Sequence, residues 1–163
     1  MKAKHEAQEY GLMLDTNVFN DVVDGKLLLE EFKDRKLFAT HVQMDELQQT
    51  SCDARKRELL AVFNYIDAAT INTESAVSDV SKWDQSKWSD PTGNFIPMLN
   101  RLRELAKAGA SRIPNQSRDI LIAETAIKNG LILVSGDRDL RVVTKEFGGQ
   151  AVDLKKIETH RKV

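Results

Sequence analysis

Two short apolar runs in this 163-residue sequence lead into acid. Leu12-Met13-Leu14 stops at Asp15, and Leu131-Ile132-Leu133-Val134 passes through Ser135-Gly136 to Asp137. Unbroken hydrophobicity without alternation reads as strands buried on both faces, the pattern of a parallel sheet. In open parallel sheets ligands bind beyond the carboxyl ends of the strands, where connections diverge, so side chains far apart in sequence converge there. A single strand-end Asp reads equally well as a cap for the following helix; two of them carry more. Asp119 adds a third acid, on a stripe with Ala123 and Ala126 whose small side chains permit close packing on a sheet. It also fits the positive end of a helix dipole, in the first turn. On the helix expected after the second strand, Asp45 and Glu46 compete for a fourth position, and spacing does not choose between them.

Four carboxylates in one cleft repel one another, and some would take up protons or push the site apart. A hard divalent cation resolves the conflict. Mg²⁺ or Mn²⁺ fits better than zinc: Cys52 is the lone cysteine, and His5, His41 and His160 have no helical metal-ligand spacing. A metal in such a site keeps water on itself, holds a substrate phosphate and stabilises the charge of in-line phosphoryl transfer.

The elements that must position these acids follow from periodicity. Strands are expected at Tyr10–Leu14, Lys36–Thr40, Ala69–Thr73, Leu131–Val134 and Ala151–Leu154. Helices are expected to open at Thr16, near Leu27–Phe32, and from about Val42, with a stripe at Leu59, Val62, Phe63 and Ile66. Further helices follow across Ile96, Leu99, Leu102 and Leu105, over Asp119–Asn129 with Gly130 as the stop, and over Leu140–Phe147. Residues 78–97, with Trp83, Trp88, two Pro and a Gly, read as an irregular excursion. Strands alternating with helices predict one α/β domain over residues 1–163: a central, mainly parallel sheet flanked by helices on both faces, with a core at about 10–154 and a basic tail at 155–163.

Composition agrees with a single globular domain, at 41% hydrophobic and 30% charged residues. The net charge of −1, from 24 Lys+Arg against 25 Asp+Glu, excludes a polycation, so any nucleic-acid contact needs a local basic face. The lone cysteine excludes an internal disulfide framework. The first residues lack the apolar stretch of a signal peptide, and no run approaches the roughly 18 apolar residues of a membrane span. A cytoplasmic location, with no membrane partner, is the expectation.

Taken together, Leu14-Asp15-Thr16-Asn17-Val18, Met44-Asp45-Glu46-Leu47, the segment from Asp119 to Ala126, and Val134-Ser135-Gly136-Asp137-Arg138-Asp139-Leu140 resemble, in order, the motifs of PIN-domain ribonucleases. The likeness is greatest to the VapC-like toxins of bacterial toxin–antitoxin pairs and covers about residues 10–154. The resemblance implies an acidic quartet of Asp15, Glu46, Asp119 and Asp137. It prefers Glu46 over Asp45 because the family's glutamate directly precedes an apolar residue, here Leu47. It also implies Asn17 as a polar residue orienting the first Asp, Ser135 in a position where Thr is frequent, and Asp139 as an auxiliary acid and further metal ligand. The implied activity is Mg²⁺- or Mn²⁺-dependent cleavage of single-stranded or structured RNA, leaving 5′-phosphate and 3′-hydroxyl ends. For a toxin, the resting state implied is a homodimer bound by a small antitoxin whose tail occupies the acidic cleft.

An RNA substrate needs cations, since phosphate contacts supply most of the affinity. Arg101, Arg103, Lys107, Arg112 and Arg118, set against only Glu104 and leading directly to Asp119, form the candidate RNA-binding face; the same residues also read as a solvated helix surface. Trp83 and Trp88 suit base stacking or, more commonly, cover a core edge or a dimer contact. The 78–97 segment and the basic tail depart from compact toxins, and a solitary PIN nuclease in RNA processing or defence would carry the same quartet. A catalytically silent PIN-like binding module usually lacks some of the acids. A phosphorylatable receiver domain is also α/β, but it wants an acidic pair after the first strand and a phospho-acceptor Asp ending the third, and neither is here.

Overall fold

The structure is a computed structural model that describes residues 10–73, 75, 93–106 and 113–156. Trp83, Trp88, most of the 78–97 excursion, Lys107, Arg112 and the tail beyond Lys156 lie outside the described residues. The elements run β1 (Leu12–Leu14), α1 (Thr16–Val23), a 3₁₀ turn (Leu29–Phe32), β2 (Leu37–Ala39), α2 (His41–Gln48), α3 (Asp53–Ile66), β3 (Ala69–Thr70), α4 (Phe95–Ala106), α5 (Ile113–Lys128), β4 (Ile132–Ser135), α6 (Arg138–Glu146) and β5 (Gln150–Asp153).

All strand pairs are parallel, in the order β3-β2-β1-β4-β5. The continuous apolar runs are explained by what lies on each face. Leu12, Leu14 and Val134 pack with Val18, Phe19, Leu59 and Phe63 of α1 and α3. Met13 and Leu133 belong to the other layer, with Met98 and Leu102 of α4, Ile120, Leu121 and Ala123 of α5, and Leu140 and Val143 of α6. Successive residues of a strand alternate between faces, so a strand covered on both sides has no polar positions to spare. The chain leaves β1 towards α1 on one face and leaves β4 towards α6 on the other. The adjacent strands β1 and β4 therefore form a topological switch point, with a crevice at their carboxyl ends.

Several boundaries differ from the sequence expectation for identifiable reasons. Helix α5 begins at Ile113 instead of Asp119. Pro114 stands in its first turn, where a missing N–H breaks no helical bond. Asp119 consequently lies well over one turn inside the helix, and the first turn holds no acid at all, so complementing the dipole is not its role. Gly130, at φ +65°, ends this helix as expected, with Leu131 N–H bonded to the Ala126 carbonyl at 2.9 Å. Ile96 is 60% exposed, while Met98, Leu99 and Leu102 form the buried face of α4. At about 100° per residue, Ile96 stands some 120° from Leu102 and misses the core. The helix expected from Val42 is two helices, α2 and α3, and the helix near Leu27–Phe32 is a single 3₁₀ turn. Strand β3 is only two residues long and both are exposed, as befits an edge strand. Residues Phe95–Pro97, placed in the excursion by sequence, open α4. Among the described residues, no helix is long and apolar enough to cross a membrane.

Phe19 is fully buried with its ring 5.2 Å from that of Phe63, joining α1 to α3. Phe19→Ala is expected to cost about 3–5 kcal/mol in urea unfolding, whereas Ile96→Ala changes stability by less than about 0.5 kcal/mol. Equal losses at the two positions would contradict this assignment of the core.

Candidate functional site

Leu14 pairs with Val134 across β1 and β4, so Asp15 and Ser135, one step further, emerge side by side at the carboxyl edge. The Ser135 hydroxyl donates to Asp15 Oδ2 at 2.6 Å and accepts the Asp137 N–H at 3.0 Å, linking the two strand-end acids through one side chain. Asp15 is buried, and its Oδ1 accepts the Thr16 N–H at 2.8 Å as the cap of α1. The exposed Asp137 caps α6, its Oδ1 accepting from Asp139 N at 2.8 Å and Leu140 N at 3.1 Å. Capping and convergence are thus compatible: a carboxylate has two oxygens, and each of these acids caps with one of them.

Glu46 reaches the same edge from α2, where it accepts a hydrogen bond from the Thr16 hydroxyl. Helix α2 is itself fixed to β1 by Gln43, which is fully buried. Gln43 Oε1 accepts from Thr40 N at 2.8 Å and from Thr40 Oγ1 at 2.6 Å, completing a capping box, while its Nε2 donates to the Leu14 carbonyl at 2.8 Å. One carboxamide therefore ties the start of α2 to the residue just before Asp15, and Glu46 follows one turn later.

Asp119 joins the group electrostatically. Burial drives its carboxyl well above the ordinary range; the charges of Asp15, Glu46 and Asp137 add to the shift, and Arg118 opposes it. Burial likewise raises Asp15, with Asp137 adding and the bonds from Ser135 and Thr16 opposing. Glu46 is raised by burial too, with Asp15 adding and the Thr16 hydroxyl and Arg118 opposing. The four acids from four separate segments thus share one field. They do not form a closed coordination shell: among the described residues, no three His, Cys, Asp or Glu are grouped to hold an ion. The donor chemistry nevertheless suits a hard divalent cation, because every candidate donor is a carboxylate oxygen and their mutual repulsion calls for positive charge.

The remaining sequence candidates divide. Asn17 Oδ1 accepts from Gly136 N at 3.3 Å, so Asn17 grips the turn that leads to Asp137. Asp139 is half-buried in the first turn of α6, where negative charge complements the helix dipole. Arg101 does not belong to a face beside the acids. Its guanidinium clasps Glu146 at 2.8 and 3.0 Å and Glu104 at 3.1 Å. Glu146 ends α6 while Asp137 caps its start, about 13 to 14 Å away along the helix. Arg103 is half-buried on α4. Arg118 alone among the described members of that basic group is placed against the cleft, bonded to Gln49 Oε1 at 3.2 Å and Asn115 Oδ1 at 3.4 Å.

Sequence reasoning passed over four residues that hold the site. Thr16 stands directly after the first acid, and the Thr40-x-x-Gln43 spacing is itself a capping-box signature. Arg141 had no such signal: it donates to the Ser135 carbonyl at 2.8 Å and pairs with Asp153 at 3.2 Å, bracing the end of β4 against β5.

The sequence matches no protein-family model and no curated protein. Among solved structures, PAE2754 from Pyrobaculum aerophilum aligns with a TM-score of 0.53 and 17% identity over 93% of this chain and 96% of that one. VapBC2 from Rickettsia felis, bound to a DNA fragment from its promoter, aligns with a TM-score of 0.44 and 16% identity over 88% and 98%. VapBC-5 from Mycobacterium tuberculosis, a member of the VapBC family of toxin–antitoxin systems, aligns with a TM-score of 0.44 and 22% identity over 89% and 98%. The alignment with the Pyrobaculum protein shows a fold shared along nearly the whole of both chains: this is a single α/β domain with an all-parallel sheet.

Because Asp15, Glu46 and Asp119 titrate higher folded than unfolded, the native state binds more protons between those two ranges. Their contribution is favourable at low pH and is lost as pH rises through the folded values. Asp24 and Glu146, lowered by Arg55 and Arg101, act in the opposite sense, so a variant isolates the cleft better than the bare curve. Without metal, Asp119→Asn is expected to raise the neutral-pH melting temperature, by about 2–4 °C per kcal/mol of strain relieved, and to leave the acidic-pH value nearly unchanged. Calorimetry across pH checks this; a variant destabilised equally at both pH values would contradict it.

Proposed function

We propose that this chain is a Mg²⁺- or Mn²⁺-dependent endoribonuclease. The observation that carries the reading is the convergence of Asp15, Glu46, Asp119 and Asp137 at the β1–β4 switch point, each acid delivered by a different segment and three of them shifted upward by burial and one another's charge. Perturbed acids gathered in a crevice are a functional-site signature. The motif resemblance supports RNA as the substrate, with 5′-phosphate and 3′-hydroxyl products.

In this reading the four carboxylates hold the ion, with Asp139 as an auxiliary acid. A divalent ion bound there supplies activation of water and charge neutralisation at the scissile phosphate. The chain's own contribution is preorganisation. Ser135 holds one oxygen of Asp15 and the backbone of Asp137, the Thr16 hydroxyl holds Glu46, and Gln43 keeps α2 in register with β1. The same motifs support a toxin of a type II toxin–antitoxin pair, acting as a homodimer restrained by a small antitoxin, or a solitary PIN nuclease. A second reading, a catalytically silent PIN-like module that binds RNA or protein, draws on the absence of a closed three-acid group among the described residues.

Cleavage of a labelled RNA separates these readings. The nuclease reading expects Mn²⁺-dependent cleavage abolished by chelator and reduced at least about 100-fold by Asp15→Asn, since even residues behind metal ligands are worth 10- to 100-fold. Cleavage indifferent to both would discredit the site; RNA binding without cleavage would favour the silent module.

A further inference from the structure

Three of the described arginines are spent on anions. Arg55 closes on Asp24, Arg141 on Asp153, and Arg101 on Glu146 and Glu104. Arg118 differs. Among the described residues its two partners, Gln49 Oε1 and Asn115 Oδ1, are neutral carboxamides, and none of the ion pairs there takes up its charge. Gln49 follows the last residue of α2, three positions beyond Glu46, and Asn115 lies one turn earlier on α5. These contacts stretch the half-buried guanidinium between the two helices that carry Glu46 and Asp119.

We propose that Arg118 is the cleft's phosphate anchor for an RNA backbone. The proposal rests on the nuclease reading and deepens it by naming the residue that receives the substrate's charge. A polyanion approaching four carboxylates needs a cation at the rim, and a guanidinium suits the task because its planar fork matches two phosphate oxygens at once. Two of its five N–H groups are engaged here, at 3.2 and 3.4 Å, long bonds to neutral acceptors that a phosphate displaces readily. Removing the charge has opposite consequences for the two ligands. The cleft becomes more negative and holds a divalent cation more tightly, while the RNA backbone loses its anchor. A merely structural arginine would weaken both or affect neither.

The test uses the full chain carrying Arg118→Gln or Arg118→Lys. Calorimetric titration with Mn²⁺ alone is expected to show roughly 3- to 10-fold tighter binding for Arg118→Gln, the size expected of one unit charge several ångströms away near the surface. Fluorescence anisotropy with a labelled single-stranded RNA, on an Asp15→Asn background that keeps the RNA intact, is expected to show about tenfold weaker binding and a salt slope reduced by about 0.7. Arg118→Lys, which keeps the charge without the fork, returns Mn²⁺ affinity to the wild-type value and restores only part of the RNA affinity. Unchanged or weaker Mn²⁺ binding by a folded Arg118→Gln, or undiminished RNA binding, overturns the assignment. Failure of the wild-type chain to cleave RNA would instead overturn the nuclease reading, so the two failures are distinguishable.

Discussion

The removal of carboxylates from water at the carboxyl edge of the sheet, with their mutual repulsion added to it, is the constraint around which this fold is organised. Asp15 is buried between β1 and α1, Asp119 presses in from α5, and Glu46 and Asp137 close the group from α2 and the start of α6. Bringing these acids out of water and towards one another opposes folding, as their raised proton affinities attest. The apolar layers on both faces of the sheet supply the driving force that holds them there. Short polar bonds then fix three of the four carboxylates: Ser135 and Thr16 N–H on Asp15, the Thr16 hydroxyl on Glu46, and two α6 amides on Asp137. Asp119 is positioned by its helix, and its carboxyl is the one driven well above the ordinary range.

The supporting shell shows how a few polar groups couple distant segments. Gln43 satisfies the Leu14 carbonyl at the end of the central strand and the Thr40 amide at the start of α2 with one side chain. Arg141 does the corresponding work on the other side, joining the Ser135 carbonyl to Asp153 on β5. Both residues act behind the acids. Neither offers its own atoms to a ligand, yet each fixes the backbone from which an acid projects, and precise placement of that kind is what distinguishes an organised polar site from a loose cluster of charge.

How much of this was legible in the sequence depends on the range of the interaction concerned. The strands ending at Asp15 and Asp137 were legible because a parallel strand covered on both faces must be continuously apolar. The stop at Gly130 was legible because a left-handed residue favours glycine. The start of α5 was not, because Pro114 is tolerated in a first turn, and the displaced boundary removes the helix-end alternative for Asp119. Charge counting grouped Arg101 with Arg118. It could not reveal that Glu146, 45 residues later, claims the former while, among the described residues, carboxamides hold the latter. The reach of Asn17 across to Gly136 is a property of the β1–β4 pairing, which no local pattern records. Strand order has no local signature at all, and with it goes the identity of the switch point.

The central claim is that these four acids are a cation site in waiting, with carboxylates from β1, α2, α5 and the β4–α6 turn able to share one ion. A crystal grown with Mn²⁺ and measured at the manganese absorption edge tests it most directly. The account predicts an anomalous peak ligated by Asp15 and Asp137 together with Glu46 or Asp119. A clear map with no peak in the cleft, and with Glu46 and Asp119 turned out to solvent, would contradict it.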